Sequence, residues 1–201
     1  MNSKKTIQNV VTSINNGGIG LLPTDTNYGL CVDPYNIKAS ERLYRLKKRD
    51  ANKKLSLFIS EPEQVFNYCT LSDKANKVVR NIINKYWPGP LGIVLQKNSL
   101  APVSPYIYED SIAVCCCKNP NLNKVIDLLG KPIGVTSANI SGAAVSGLTT
   151  FEIAQKQFSQ EIDFFIEDHN KSFSTMAGTI IKVDNIGNIH VLRQGDIVVS
   201  F

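Results

Sequence analysis

Residues 22–30 read LPTDTNYGL and directly follow the short apolar run at residues 19–22. The apolar run is typical of a buried strand, and Pro23 ends it because proline has no N–H for a strand ladder. The loop that follows places hydroxyls, a carboxylate and an aromatic ring within one turn. Such a loop either satisfies its own hydrogen bonds as an Asx or ST turn, or presents hydroxyls and backbone N–H groups to a small polar ligand. The segment alone leaves both alternatives open.

Two further loops carry candidate functional groups. Residues 136–142 read TSANISG and follow an apolar run at residues 133–136. Hydroxyls and an amide after a strand, with a glycine that permits a tight backbone, suit phosphate or ribose recognition, although a capped turn has the same composition. Residues 87–91 read WPGPL, which is more typical of a rigid turn between a helix and a strand than of a ligand contact.

The rest of the chain predicts an α/β fold of the α+β type, with a mixed sheet and flanking helices. Helices are predicted over residues 6–14, 39–47, 72–87, 122–129 and 151–158. Strands are predicted over residues 19–22, 55–59, 91–95, 112–117, 133–136, 163–166, 179–183 and 188–192. The elements do not alternate strictly as βαβ, and neither GxGxxG nor GxxxxGK[ST] occurs, which disfavours a Rossmann or P-loop fold. We expect residues 1–201 to form a single domain.

Composition and charge indicate a folded, basic protein. The chain is 43% hydrophobic and 19% charged, which excludes an intrinsically disordered chain. No apolar stretch approaches the roughly 20 residues of a membrane span, and the first residues lack the apolar run of a signal peptide, so we expect a cytoplasmic protein. The net charge is +5, and residues 41–54, ERLYRLKKRDANKK, carry much of the excess. This cluster is either a solvated helix face or a phosphate-binding surface for a nucleotide or RNA.

The chain has five cysteines, three of them consecutive at residues 115–117. An odd count without a spaced pattern argues against a secreted disulfide scaffold. Neighbouring side chains on a strand point to opposite faces, so three adjacent thiolates cannot converge on one tetrahedral ion. The pattern favours structural or pocket-lining cysteines over a metal site, with Cys115 and Cys117 on one face.

Taken in order, these motifs resemble the YrdC family of threonylcarbamoyl-AMP synthases. The matching positions are residues 23–30, Lys47 and Arg49, residues 87–91, residues 137–142, Thr179, and Arg193 with Gly195. The resemblance implies a twisted mixed sheet around a large, positively charged cavity, as in the short single-domain members. It also implies a reaction in which L-threonine, bicarbonate and ATP form threonylcarbamoyl-AMP and release pyrophosphate. Partner proteins would then transfer the product to an adenosine beside the tRNA anticodon.

The resemblance further implies roles for individual residues. Lys47 and Arg49 would be catalytic and would hold phosphate charge together with Mg²⁺. The residues on the ATP side would be Arg45, Lys47, Arg49, Ser111, Ser137, Asn139 and Arg193. The residues on the substrate side would be Thr24, Thr26, Tyr28, Lys53, Thr136, Thr179 and Cys115. No protein ligand to a metal is expected, and His169 and His190 look peripheral.

The chain also departs from the family pattern on the amino-acid side. Where the family has VRxP, this chain has Val114 to Cys117, so Cys115 stands where an arginine would meet the threonine carboxylate. Gly178 stands where the family has serine, and Gly92 where it has threonine. A neutral thiol cannot replace a bidentate cation, and loss of a buried charge partner commonly costs about 2–5 kcal/mol in binding.

Several alternatives follow from these departures. Another cation, such as Lys53 or Lys54, binds the carboxylate and the family reaction is retained, or the pocket takes another acceptor. A divergent paralogue would instead bind nucleotide, tRNA or double-stranded RNA through phosphate contacts without catalysis. A carbamoylation enzyme of another pathway is less favoured, because such relatives usually carry fused modules. The family reaction is the first hypothesis.

Overall fold

The computed structural model describes residues 6–140, 148–168 and 174–200, which fold around a single sheet. Within these residues the α-helices are α1 (Ile7–Asn15), α2 (Ile37–Lys47), α3 (Asp73–Tyr86), α4 (Pro120–Leu129) and α5 (Phe151–Phe158), and Pro62–Asn67 form a 3₁₀ helix. The strands are β1 (Gly20–Leu22), β2 (Gly29–Val32), β3 (Ser56–Ile59), β4 (Leu91–Gln96), β5 (Ser111–Cys116), β6 (Ile133–Ser137), β7 (Phe164–Phe165), β8 (Thr179–Val183) and β9 (Ile189–Arg193).

The sheet confirms the mixed α/β architecture expected from the sequence. Its strand order is β7-β1-β2-β6-β3-β5-β4-β8-β9. Strands pair in parallel at β1–β7, β3–β5 and β4–β8, and antiparallel at the other five contacts. Many neighbours are remote in sequence: Ile19 N donates to Asp163 Oδ2 at 2.8 Å across 144 positions. The sheet therefore brings loops that are far apart in the sequence close together in space.

The helices end within one residue of the predicted positions, whereas α2 and α4 each begin two residues before the predicted start, after the caps Asn36 and Asn119. Ser72 caps α3 by accepting a hydrogen bond from Ala75 N at 3.2 Å, and the helix buries Val79, Ile82 and Ile83 against the sheet. Since a serine hydroxyl satisfies one of the free N–H groups of the first turn, it favours a helix start at this point. The predicted helix at residues 72–87 thus agrees with the structure to within one residue at each end.

Strand β2 was missed by the sequence analysis, because residues 22–30 read as one continuous loop. The loop is only the connection of a hairpin, and Leu22 pairs with Gly29 on its far side. Leu30, Cys31 and Val32 are all fully buried, and Cys31 packs into a different hydrophobic cluster from its two neighbours. A strand buried on both faces has no alternating pattern, so periodicity gave no signal for it.

Helices cover both faces of the sheet. α1 and α4 share one hydrophobic cluster, whereas α2, α3 and α5 contribute to the other. No helix among the described residues is long and apolar enough to cross a membrane.

Candidate active site

The loops and strand ends of the sheet enclose a cavity of about 430 Å³. Its walls come from the β1–β2 loop, the segment after α2, and strands β3, β4, β5, β6, β8 and β9. The sequence-predicted residues that line it are Thr24, Thr26, Tyr28, Arg49, Lys53, Cys115, Thr136, Ser137, Thr179 and Arg193. The structure therefore brings together groups that lie up to 169 positions apart in the chain.

The β1–β2 loop satisfies its own hydrogen bonds and also faces the cavity. Thr24 Oγ1 donates to Asn27 O at 2.6 Å and accepts from Thr26 N at 3.2 Å, which is an ST turn. The Asp25 carboxylate accepts from Lys118 N at 2.7 and 3.0 Å. Burial nevertheless raises the pKa of Asp25 above its ordinary value. The two alternatives for this loop are thus compatible, since internal bonds hold it in shape while its residues line the wall.

Tyr28 forms a fixed part of the same wall. Its hydroxyl accepts a hydrogen bond from Asp168 N at 2.8 Å, and its ring centroid lies 5.3 Å from that of Phe151 in a tilted contact. Burial raises the pKa of Tyr28 to about 12, so the phenol is neutral at physiological pH. Tyr28 therefore contributes a rigid, uncharged surface.

Lys47 lies behind the wall and does not line the cavity. Its Nζ donates to the Ser137 carbonyl, to Ser137 Oγ at 3.2 Å and to Asn139 Oδ1 at 3.3 Å, and Ser137 Oγ donates to Asn139 Oδ1 at 2.7 Å. Burial, aided by the positive charges of Arg49 and Lys53, lowers the pKa of Lys47 to about 7. We call Lys47, Ser137 and Asn139 the lysine network. It places a titratable ammonium directly beneath a hydroxyl that faces the cavity.

Arg49 follows Lys47 by two positions but faces the cavity. Lys48 between them adopts a left-handed conformation with φ 50°, which ends α2 and turns the chain. Arg49 Nε donates to Lys53 O at 2.7 Å, and its Nη2 donates to Lys54 O at 3.1 Å. The Lys54 Nζ in turn donates to Pro105 O at 2.7 Å. Arg49, Lys53 and Lys54 all line the cavity, and we call them the basic wall.

The opposite end of the cavity is formed by small and sulfur-containing residues. Cys115 and Cys117 line it, whereas Cys116 points into the hydrophobic core, as strand alternation predicted. Burial raises the pKa of Cys115 to about 12, so its thiol is neutral. Gly92 pairs with Cys115 across β4 and β5, and a Cβ at Gly92 would lie 3.1 Å from the Cys115 sulfur. Two departures from the family pattern are thus cross-strand neighbours.

Thr179 and Arg193 complete this end. The Thr179 hydroxyl donates to Ile197 O at 2.7 Å and accepts from Gly195 N at 2.9 Å, so it holds the chain after β9. Arg193 Nε donates to Gly178 O at 2.9 Å. Burial lowers the pKa of Arg193 from its ordinary value.

Four residues predicted for the ATP side do not line the cavity, namely Lys47, described above, and Arg45, Ser111 and Asn139. The Arg45 side chain is 74% exposed on α2 and pairs with Glu41 at 3.2 Å. Ser111 lies at the start of β5 opposite Gln96, and Asn139 reaches the cavity only through the lysine network. His190 is exposed on β9, 3.5 Å from Asp184. The predictions for His169 and for residues 141–142 lie outside the described residues.

Several lining residues were not predicted. Asp25 and Gly178 lie beside predicted positions, while Ser56, Phe58 and Tyr108 come from elements that carried no motif. The alternation of residues 55–59 places Ser56 and Phe58 on one strand face, so that pattern was an available signal. Among the residues that the structure describes, no group of three His, Cys, Asp or Glu side chains could hold a metal ion.

Several known proteins are similar in sequence to most of this chain. The family model Sua5_yciO_yrdC, described as telomere recombination, matches residues 12–195. A protein of Methanocaldococcus jannaschii, provisionally named a threonylcarbamoyl-AMP synthase, is 32% identical over 197 residues, covering 98% of this chain and 89% of that protein. The threonylcarbamoyl-AMP synthase of Vibrio vulnificus is 30% identical over 160 residues, covering 80% of this chain and 84% of that enzyme.

Solved structures share the same architecture. The crystal structure of P. abyssi Sua5 complexed with L-threonine superposes with a TM-score of 0.82 at 27% identity, over 94% of this chain and 54% of that one. This chain therefore spans about half the length of that protein. E. coli YciO superposes with a TM-score of 0.79 at 21% identity, over 94% of this chain and 89% of its own, which shows a shared fold.

Proposed function

The chain belongs to the Sua5/YciO/YrdC family, and from this premise we propose that it is an enzyme that makes L-threonylcarbamoyl-AMP from L-threonine, bicarbonate and ATP, releasing pyrophosphate. The observation that carries the proposal is the cavity itself, with the basic wall beside Ser137 and the lysine network behind it. The relatives named threonylcarbamoyl-AMP synthase, and the Sua5 structure with L-threonine, support the same reaction.

The basic wall and the lysine network suit a triphosphate. Arginine presents a fixed fork of donors that matches phosphate oxygens, and Arg49 is already held in place by the Lys53 and Lys54 carbonyls. A bound phosphate near Ser137 would favour the charged form of Lys47, because opposite charges attract more strongly in a partly buried site. We propose that ATP places its phosphates between Arg49 and Ser137.

The proposed chemistry requires positioning more than proton transfer. The threonine amine adds to bicarbonate, water leaves, and the resulting carbamate oxygen attacks the α-phosphorus of ATP while pyrophosphate departs. Holding the carbamate and the α-phosphate in one small cavity supplies proximity. Charge that develops on the phosphate oxygens is stabilised by Arg49, and by Lys47 acting through Ser137, which makes Lys47 a positioning residue.

Mg²⁺ would arrive with the nucleotide. The described residues that line the cavity include one carboxylate, Asp25, and that group already accepts the Lys118 backbone N–H. Together with the lack of a three-residue His, Cys, Asp or Glu cluster in the described part of the chain, this does not fit a resident protein metal site. No step is therefore assigned to the ion.

The finer biological setting belongs to the same proposal. We propose that the product serves threonylcarbamoyladenosine modification of tRNA by partner proteins in the cytoplasm. The relatives' names support the product, and the basic cluster at residues 41–54 supports a role close to RNA. An RNA-binding paralogue without catalysis is the competing hypothesis, and its signature would be a steep dependence of RNA affinity on salt.

Pyrophosphate release tests the proposal directly. Purified protein is incubated with ATP, Mg²⁺ and bicarbonate, with and without L-threonine, and the adenylate product is identified by mass spectrometry. Release that needs both threonine and bicarbonate is expected, and Arg49→Gln should reduce it at least about tenfold because a charged phosphate contact is lost. Lys182→Gln removes an exposed cation of β8 outside the cavity and serves as the matched control. The absence of threonine-dependent release from the unmodified chain would overturn the proposal.

A further inference from the structure

The cavity has to hold two anionic groups, and it has cations at two ends. This inference rests on the proposed function, in which one ligand is a triphosphate and the other is an amino acid with a free carboxylate. Arg49 and Lys53 are close enough to Lys47 for their charges to lower its pKa, so they belong to the end that contains Ser137. The neutral thiols of Cys115 and Cys117 supply no charge at the other end.

Strand register identifies the cation at that other end. Across the sheet, Cys115 pairs with Gly92, and Gly92 pairs with Ile180. Ile180 pairs with Arg193, next to a register shift between Ile180 and Ile181. Directly paired residues project to the same face of a sheet, and these residues all line the cavity. Gly92 has no side chain, and the Cys115 sulfur and Ile180 Cγ1 lie 3.1 and 3.6 Å from the place where its Cβ would stand. Arg193 therefore stands at the far end of this row from Cys115, and both residues line the same cavity.

Contacts of Arg193 are consistent with this direction. Its Nε donates to Gly178 O at 2.9 Å, which fixes the guanidinium at the cavity edge. The Cys115 sulfur is close enough to act electrostatically on Arg193, and Arg193 acts on Cys115 in return. Among the contacts of the described residues, neither Nη nitrogen of Arg193 has a hydrogen-bond or ion-pair partner. Two adjacent donors are thus available for a bidentate ligand.

The remaining cations of the cavity are less suited to this task. Arg49 donates to backbone carbonyls through both Nε and Nη2, and Lys54 donates through its one nitrogen, whereas the only such bond of Arg193 among the described residues is from Nε. Lys53 lies with Arg49 near Lys47, at the phosphate end. A carboxylate is planar and matches the guanidinium fork better than it matches an ammonium.

We propose that Arg193 binds the carboxylate of the amino-acid substrate, at the end of the cavity lined by Gly92 and Cys115. Arg193 is thereby a specificity-determining residue for the acceptor, whereas the family resemblance placed it with ATP. Substitution of Arg193 should not change the affinity of an amine that matches the substrate in size but lacks the carboxylate.

A ligand pair tests the proposal. The affinities of L-threonine and of L-threoninol, which carries an alcohol in place of the carboxylate, are measured by calorimetry in the presence of an ATP analogue with a methylene bridge between the α- and β-phosphorus. Arg193→Gln is expected to weaken L-threonine about 10- to 100-fold and to change L-threoninol and the ATP analogue by less than about threefold. Lys182→Gln, a cation one strand away and outside the cavity, is expected to change none of them.

The outcomes separate the two proposals. Equal losses for threonine and threoninol, or a loss confined to the ATP analogue, would overturn the role of Arg193 and leave the reaction standing. An unmodified chain that neither binds threonine nor releases pyrophosphate with it would overturn both. If Arg193→Gln has the same thermal unfolding midpoint as the unmodified chain, a measured loss of affinity comes from the site and not from loss of the fold.

Discussion

Raising the pH from 6 to 8 is expected to weaken ATP binding by up to about tenfold. In the empty site the pKa of Lys47 is about 7. The ammonium is therefore present in about nine molecules of ten at pH 6 and in about one of ten at pH 8. If the bound phosphates need that charge, the loss of affinity approaches about 1.4 kcal/mol over this range.

Calorimetry measures both the affinity and the linked proton. Titrations with Mg²⁺-ATP at pH 6, 7 and 8 give the dissociation constants, and repetition in buffers of different ionisation enthalpy gives the proton uptake. At pH 7.5 the unmodified chain should take up close to 0.8 proton through Lys47. Because Lys47→Arg carries a charge that does not titrate, its profile contains only the titration of the nucleotide.

The same pKa shift has the opposite effect on stability. The unfolded chain holds the Lys47 proton up to the ordinary lysine pKa, so between pH 7 and that value the unfolded state binds more protons than the folded state. The free energy of unfolding of the empty protein should therefore rise with pH, by at most about 1.4 kcal/mol per unit. Identical pH profiles and identical proton uptake in the unmodified chain and Lys47→Arg would refute the reasoning.

Three further predictions concern the walls of the cavity. Gly178→Ser should lower the free energy of unfolding by about 1–3 kcal/mol and the thermal midpoint by several degrees, since any Cβ there meets the Pro90 carbonyl oxygen at 2.8 Å. Gly92→Ala should lower the midpoint less in the same thermal scan, because its Cβ meets a movable side chain. Tyr28→Phe should lose about 1 kcal/mol in denaturant titration, because a partly buried backbone N–H loses its acceptor, and an unchanged midpoint would show that water replaces the hydroxyl. Cys115 should resist iodoacetamide at pH 7 despite lining the cavity, because burial raises the pKa of its thiol to about 12; rapid labelling detected by peptide mass spectrometry would contradict this.

Local signals predicted the helices well and could not predict the order of the strands. Ser72 marks the start of α3 because its cap needs only residues within one turn. The pairing of β1 with β7 and of β4 with β8 depends instead on which apolar faces meet after collapse. β2 was not predicted, because a strand buried on both faces lacks the alternation of apolar and polar residues that marks a half-buried strand.

The site was predictable in its loops but not in the direction of its side chains. The Lys47 and Arg49 pair reads as two equivalent cations, yet the left-handed turn at Lys48 sends one behind the wall and the other into the cavity. The spacing of Leu43, Tyr44 and Lys47 marks one buried helix face, so burial of Lys47 was available from periodicity. By contrast, the neighbourhood of Cys115 and Arg193 depends on three strand pairings that no local pattern encodes.

The register that joins Cys115 to Arg193 also has a consequence for synthesis on the ribosome. The floor of the cavity includes β8 and β9, so a nascent chain that has exposed only its first 170 residues lacks Arg193, the residue proposed to bind the amino acid. Sheets built from such distant segments fold slowly, because the entropy of loop closure is lost before the stabilising contacts between the strands can form. Binding of the amino acid would then require that translation has passed residue 193, and the amino acid would stabilise only the finished chain.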